Sequence, residues 1–328
     1  METNQPDNFT SRMPLEQVQQ GLQQVKTEIN KVIVGQEKMI DHLLVALLTG
    51  GHVLIEGVPG VAKTITARLL AKSLDINFSR IQFTPDLMPS DILGTSVFNL
   101  RDSDFEFKKG PIFSEFVLID EINRSPAKTQ AALFEVMEER QISMDGIVHP
   151  MAEPFLVIAT QNPIEHEGTY RLPEAQLDRF LFKITVDYPT PEQEFQIISN
   201  HHHSKTPDKT DVVKPVLSTH QLLSFQQLTQ KVVVEENLMR YIAQLVINTR
   251  ENPFLYLGAS PRASLALLVA SKGFAALRGR DFVTPEDIKE ASQAVLRHRI
   301  MVSPEREMEG LTADEIIRQI TEGIEIPR

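Results

Sequence analysis

The 328-residue sequence contains no cysteine, which excludes disulfides, thiolate catalysis and cysteine-ligated zinc while leaving the compartment open. Long apolar runs are missing too: "LLVALLTG" near residue 43 falls far short of the roughly 18 residues a membrane-spanning helix needs. The N-terminus, "METNQPDNFTSRMPLEQ", has neither the basic start nor the apolar centre of a secretory signal, so a cytoplasmic protein is expected. Positive charge is in deficit. Lys and Arg number 33 against 44 Asp and Glu, and the formal net charge of −11 disfavours a protein that coats nucleic acid, although a local basic groove remains compatible with it. There is no internal repeat and no low-complexity segment. What is present is a globular composition, 41% hydrophobic and 23% charged, in a chain long enough for two domains or for one α/β domain with a helical appendage.

Residues 15–31 place Leu15, Val18, Leu22, Val25 and Ile29 at three- and four-residue steps, which predicts an amphipathic helix, and a second helix is expected at about 36–49. Then come "HVLIE" at 52, "FSRIQF" at 78, "FVLID" at 116, "FLVIAT" at 155 and "LFKITV" at 181. Short apolar runs separated by helical stretches predict a parallel sheet buried on both faces. Two alternating segments break the rhythm and read as inserted hairpins: "TSVFNLRDSDFEFKK" at 95–109, and "QISMDGIVH" at 141–149 with Asp145-Gly146 at its turn. A linker is expected near 200–212, and everything beyond it reads as helical. Within that region Thr284, Pro285 and Asp287 are spaced as a helix cap, first helical residue and capping-box partner.

"GVPGVAKT" at 57–64 lies between an apolar strand and a helix, the setting of a phosphate-binding loop. There backbone N–H groups and the helix N-terminus surround phosphates, Lys63 reaches the β- and γ-phosphates, and Thr64 offers its hydroxyl to Mg²⁺. Ala62 stands where the general pattern has its second glycine. A methyl group costs little if the residue is right-handed and about 1 kcal/mol or more if φ is positive; a loop running into a helix favours the first case. The alternative for the whole stretch is a surface turn that happens to carry two glycines and a lysine.

"FVLIDEINR" describes a buried strand that delivers Asp120 and Glu121 at its C-terminal end. Asp120 would hold Mg²⁺ and Glu121 would orient and deprotonate the attacking water; the competing reading is a strand that runs into an acidic helix cap. Asn162, after "FLVIAT", suits a hydrogen bond to the γ-phosphate or that water, or else is a turn residue before Pro163. His201, His202 and His203 are consecutive, so their side chains diverge and a solvated linker is favoured over a metal site. "LRHR" at 296–299 reads as the exposed C-terminal end of a helix, or as a basic spot for a nucleotide or an acidic partner.

"GVPGVAKT", "DEINRSPAKTQAALFEVMEERQI", "FLVIATQNPIEHEGTYRLPEAQLDRF" and "GASPRASLALL" together resemble the AAA+ ATPases, and closely the MoxR family, over roughly residues 30–300. MoxR-like loops commonly carry Ala before the lysine. The resemblance implies an α/β P-loop NTPase domain with a parallel five-stranded sheet and helices on both faces, plus a small C-terminal all-α lid. ATP and Mg²⁺ would sit at the boundary with a neighbouring subunit of a homo-oligomeric ring, usually of six. On this basis residues 1–14 are a flexible segment, 15–199 the α/β domain with its two hairpin inserts, 200–212 the linker and 213–328 the lid.

By the same resemblance Lys63 and Thr64 match the Walker A pair, and Gly57, Val58, Pro59, Gly60, Val61, Ala62 and Ile65 complete the nucleotide loop. Asp120 and Glu121 match the Walker B pair, Asn162 the first sensor and Arg262 the second sensor on the lid. Val34, Gly35 and Gln36 match the segment beside the adenine. Arg179 in "QLDRF" matches the arginine finger, with Arg124 and Arg171 as alternatives in the same stretches; Asp178 is a candidate partner for Arg171. The hairpins match inserts that face a ring opening or a client, which makes Phe98, Phe105, Phe107, Lys108 and Lys109 candidate contacts, ordinary hairpin packing being the other reading.

The function implied is ATP hydrolysis used to remodel or help mature partner proteins, some bearing a von Willebrand factor A-type domain. An ATP-dependent assembly switch with little turnover, a nucleic-acid motor and a small-molecule kinase are the alternatives. Groups suited to a transition state disfavour the switch, the acidic balance and the missing DNA-binding appendage disfavour the motor, and no acceptor pocket is identifiable for the kinase.

Overall fold

The structure, a computed structural model, describes residues 14–101, 103–163, 169–170, 172–203 and 209–326. Two helices lead, α1 (Leu15–Asn30) and α2 (Glu37–Thr49), the first burying its predicted Leu15, Val18, Leu22, Val25 and Ile29 stripe. Strand β1 (His52–Gly57) feeds α3 (Lys63–Ser73), and β2 (Phe78–Gln82) leads to the short α4 (Pro89–Leu93). The hairpin β3 (Gly94–Asn99) and β4 (Asp104–Lys109) comes next, then β5 (Phe116–Asp120) and α5 (Ala127–Glu139). A second hairpin, β6 (Gln141–Met144) and β7 (Ile147–Pro150), precedes β8 (Leu156–Gln161), α6 (Glu174–Leu177) and β9 (Phe180–Val186). Both predicted hairpins are present.

The five longer apolar runs pair in the order β2-β5-β8-β1-β9, all parallel. Residues alternate across this sheet, so one strand feeds two cores. Val53, Ile55, Leu118 and Ile158 pack on α1, α2 and α3, whereas Leu54, Val117, Ile119, Val157 and Ala159 meet α5 and Phe134 on the opposite face. Burial on both sides is what makes these runs apolar throughout.

The C-terminal part contains α7 (Pro191–His203), α8 (Thr219–Gln230), α9 (Glu236–Glu251), β10 (Leu255–Leu257) and α10 (Pro261–Leu277). It finishes with α11 (Pro285–Leu296), β11 (Met301–Val302), α12 (Pro304–Met308) and α13 (Ala313–Gly323). Thr284 caps α11 with Asp287 as expected, its N–H donating to the Asp287 carboxylate at 2.9 Å. Three expectations are corrected. His201, His202 and His203 belong to the last turn of α7, which carries the helix past the linker's predicted start; residues 204–208 lie outside the described ones. The region beyond is helical except for the β10–β11 pair, too short for its periodicity to show in sequence. And "LRHR" is not an exposed helix end: His298 and Arg299 are buried.

Arg299 lies against β9, where its Nε is 2.6 Å from Asp178 Oδ1 and its Nη2 donates to the carbonyls of Phe180 and Asp178. A guanidinium has five donors, so a ring of carbonyls and one carboxylate supplies what water would otherwise supply. Helix α10 packs on α2 closely enough that a Cβ on Gly273 would lie 2.6 Å from Val45. Lid and sheet thus share one continuous apolar core.

Candidate active site

β1, β5 and β8 lie side by side and end at one edge of the sheet, so the loops leaving their C-terminal ends converge there. β1 runs into a loop in which Gly60 has φ 89° and Ala62 has φ 63°, ψ 17°, and α3 starts at Lys63. The right-handed conformation expected of Ala62 is therefore overturned. The chain reverses at this residue, and the methyl group is carried in the left-handed region at a cost of about 1 kcal/mol. Its carbonyl accepts from both the N–H and the hydroxyl of Thr66, which anchors the first turn of α3.

A cleft of about 400 Å³ lies in front of this loop and is lined by Pro59, Gly60, Ala62, Lys63, Thr64 and Ile65. Asp120, Glu121 and Asn162 face them across it. Lys63 Nζ donates to the carbonyls of Gly57 and Val58, within the loop itself. Thr64 Oγ1 lies 3.1 and 3.2 Å from the two oxygens of Asp120, and Thr160 Oγ1 donates to Asp120 Oδ1 at 2.7 Å while accepting from the Glu121 N–H at 3.0 Å. Glu121 has φ 58°, the kind of held strain found where a side chain must be aimed. A hydroxyl and a carboxylate this close are oxygen donors that suit Mg²⁺, and the N-terminus of the 11-residue α3 suits the phosphates it would bridge. The residues present fit the group.

Three cleft residues went unread in the sequence. Arg80 Nε lies 2.9 Å from Asp120 Oδ2, Gln82 Nε2 donates to Glu121 Oε2 at 2.8 Å, and the Thr160 hydroxyl links the Asp120 carboxylate to the Glu121 backbone N–H. Gln82 pairs in register with Asp120 on the neighbouring strand. The signal was available: two long polar side chains two residues apart in "SRIQF" share one face of the strand, opposite Ser79 and Ile81.

Other predicted residues lie elsewhere. Val61 is buried, and Gly57 and Val58 contribute only carbonyls. Val34 and Gly35 do not line the cleft; they sit beside the end of β9, where Gln36 donates to the Asp187 carbonyl and a Cβ on Gly35 would strike Gln193. Since Gly57 pairs with Val186, that turn borders the start of the loop. Arg124 Nε is 3.2 Å from Glu121 Oε2, so this arginine serves its own chain's carboxylate. Arg171 lies outside the described residues, and Asp178 is bonded to Arg299. Arg179 and Arg262 do not line the cleft either: both contact Glu138 on α5, at 2.7 and 3.1 Å.

A parallel five-stranded sheet with a phosphate-binding loop, paired carboxylates on a neighbouring strand and a helical lid is the architecture of an AAA+ ATPase. Residues 52–182 match the ATPase family associated with various cellular activities (AAA), and residues 247–320 match the AAA lid domain. The chain is 44% identical to Chaperone MoxR1 of Mycobacterium tuberculosis over 310 residues, covering 92% of this chain and 81% of that one. It is 45% identical to the uncharacterized YeaC of Bacillus subtilis, over 91% and 92% of the two chains, and 31% identical to MoxR of Paracoccus denitrificans, over 84% and 87%. A crystal structure of an ATPase candidate from Cytophaga hutchinsonii superposes with a TM-score of 0.88 at 43% identity, covering 96% and 97% of the chains. The protein belongs to the MoxR family of AAA+ ATPases.

Proposed function

We propose that the chain hydrolyses Mg-ATP at the subunit interfaces of a homo-oligomeric ring, of six by family resemblance, and uses the turnover to remodel or help mature client proteins. One observation carries this reading: Lys63, Thr64, Asp120, Glu121 and Asn162 surround one cleft, while Arg179 and Arg262 converge on Glu138 outside it. A cleft whose own chain keeps both of these arginines outside it is completed by a second copy that brings its own.

Mg-ATP, when bound, supplies the transferable phosphoryl group and the metal charge that neutralises its oxygens. Lys63 exchanges its loop carbonyls for phosphate oxygens. Thr64 and Asp120 would hold the metal, and Thr160 keeps the Asp120 carboxylate in place. Glu121, restrained by Gln82 and Arg124, takes the proton of the attacking water, which Asn162 orients. Val34 and Gly35, outside the cleft but beside the start of the loop, would border the base by family resemblance. Clients are proteins, and those with a von Willebrand factor A-type domain are the class the family suggests; the chaperone in the name of the Mycobacterium relative supports the protein-directed reading.

The test is steady-state hydrolysis per subunit against protein concentration, which should climb and saturate as interfaces form. Arg179→Ala should lower turnover by roughly 10³-fold or more, as removal of a finger does. Mixing it with Lys63→Ala should restore part of the activity, because each variant supplies what the other lacks. A flat concentration profile with no rescue at any ratio would place a complete site in each chain.

A further inference from the structure

Glu138 lies in the last turn of α5, and its two oxygens are divided between arginines from different parts of the fold. Oε2 accepts from Arg179 Nη2 at 2.7 Å and Oε1 from Arg262 Nη2 at 3.1 Å. Arg179 Nη1 also donates to the Phe134 carbonyl one turn earlier, which fixes that guanidinium along α5. Arg262 is the second residue of α10, more exposed, and meets the sheet domain through Glu138.

The same two segments are joined at a second point. Asp178, next to Arg179, accepts from Arg299 Nε at 2.6 Å and from the Ser260 hydroxyl at 3.2 Å, and Ser260 is the cap residue of α10. Like charges repel, and less solvent between them strengthens the repulsion, so two guanidinium groups do not gather unaided. A carboxylate between them reverses the sign of the interaction.

We propose that Glu138 is a positioning residue: it gathers Arg179 and Arg262 into one dicationic fork for the triphosphate of a neighbouring subunit and makes the placement of the first depend on the lid that carries the second. The proposal rests on the subunit-bridging reading above. Ordering two long side chains is already accomplished in the free subunit, so less is lost when the fork meets phosphate. A triphosphate offers both arginines more charge and more acceptors than one carboxylate, so the fork passes to it intact.

The experiment uses the full chain with Glu138→Gln, which keeps the shape and removes the charge at a half-exposed position. Turnover should fall by about tenfold or more while KM for Mg-ATP stays within about threefold, because the binding groups of the cleft are untouched. Glu138→Asp, which keeps the charge on a shorter arm, should recover part of that loss. Mixing Glu138→Gln with Lys63→Ala should raise activity above the sum of the two, and a thermal melt close to that of the parent shows that the fold is intact. A purely structural Glu138 would lower the melting temperature and give no rescue. Unchanged or raised turnover, or a KM effect alone, overturns the proposal, as does a failed Glu138→Gln mixture beside a successful Arg179→Ala one. If neither mixture recovers activity, the subunit-bridging reading falls and this one with it.

Discussion

Ala62 carries a methyl group where the chain turns left-handed, beside Gly60, which turns the same way without penalty. The loop itself was legible, because a strand, two glycines, Lys-Thr and a helix form a pattern in the order of residues. Its backbone angles were not: spacing says which residues occupy the loop, whereas φ at Ala62 depends on how the loop must reverse to deliver Lys63 into α3. Glu121, also left-handed, was likewise readable as a carboxylate at a strand end but not as a strained one. Ala62→Gly should therefore raise stability by about 0.5–1 kcal/mol, or about 1–3 °C in melting midpoint, since the strain relieved outweighs the packing of one half-buried methyl group. The check is thermal unfolding monitored by circular dichroism. A fall of similar size would mean that the methyl group, which packs against the apolar core, contributes more than the strain costs.

Among the elements, alternation revealed both hairpins, but not that they touch. Phe107 lies against His149 with ring centroids 4.5 Å apart, and Ser96 bonds Asp145, so the insert at 95–109 is braced by the one at 141–149. This divides the candidate contact residues. Phe107 is engaged in packing, whereas Phe98 and Phe105 face each other at 5.2 Å near the exposed tip. The first hairpin is flanked by Gly94 and Gly110 because its base crosses α4 closely: a Cβ on Gly110 would lie 2.2 Å from the Ile92 carbonyl oxygen and 2.6 Å from the Gly94 nitrogen. These are backbone atoms, which cannot swing aside. Gly110→Ala should accordingly loosen the hairpin at its root, seen as limited proteolysis within 95–109 that the parent resists. Unaltered protection would show that α4 moves to admit the methyl group. A sequence cannot reveal such a crossing, because neither strand records what passes behind it.

At the scale of the whole molecule, the sheet, the lid and their order were readable, while the joints between them were not. Arg299 and His298 looked like an exposed basic end because their partners lie about 120 residues earlier in the chain. Among the described residues three histidines, His42, His52 and His298, are buried, and burial pushes the pKa of each down, that of His52 to about 4. The geometry at His52 agrees: Nδ1 accepts from the Val157 N–H at 3.0 Å, so the neutral ring carries its proton on Nε2, which donates to the Met137 carbonyl at 3.1 Å. A second proton would set two N–H groups against each other. In the unfolded chain these rings protonate near the ordinary value of about 6.5. Between that pH and about 4 the unfolded state therefore binds more protons than the folded one, and stability falls as the medium is acidified. His52 alone accounts for about 3 kcal/mol across its window, at about 1.4 kcal/mol per pH unit. Urea midpoints should be level above pH 7 and decline steadily from about pH 6.5 to about pH 5. His52→Gln, which keeps a donor and an acceptor but does not titrate, should flatten that decline by about one such slope whatever its effect at neutral pH. An equal slope in parent and variant would mean that the ring takes up its proton within the fold, and that the packing of β1 against Met137 and Val157 tolerates the charge.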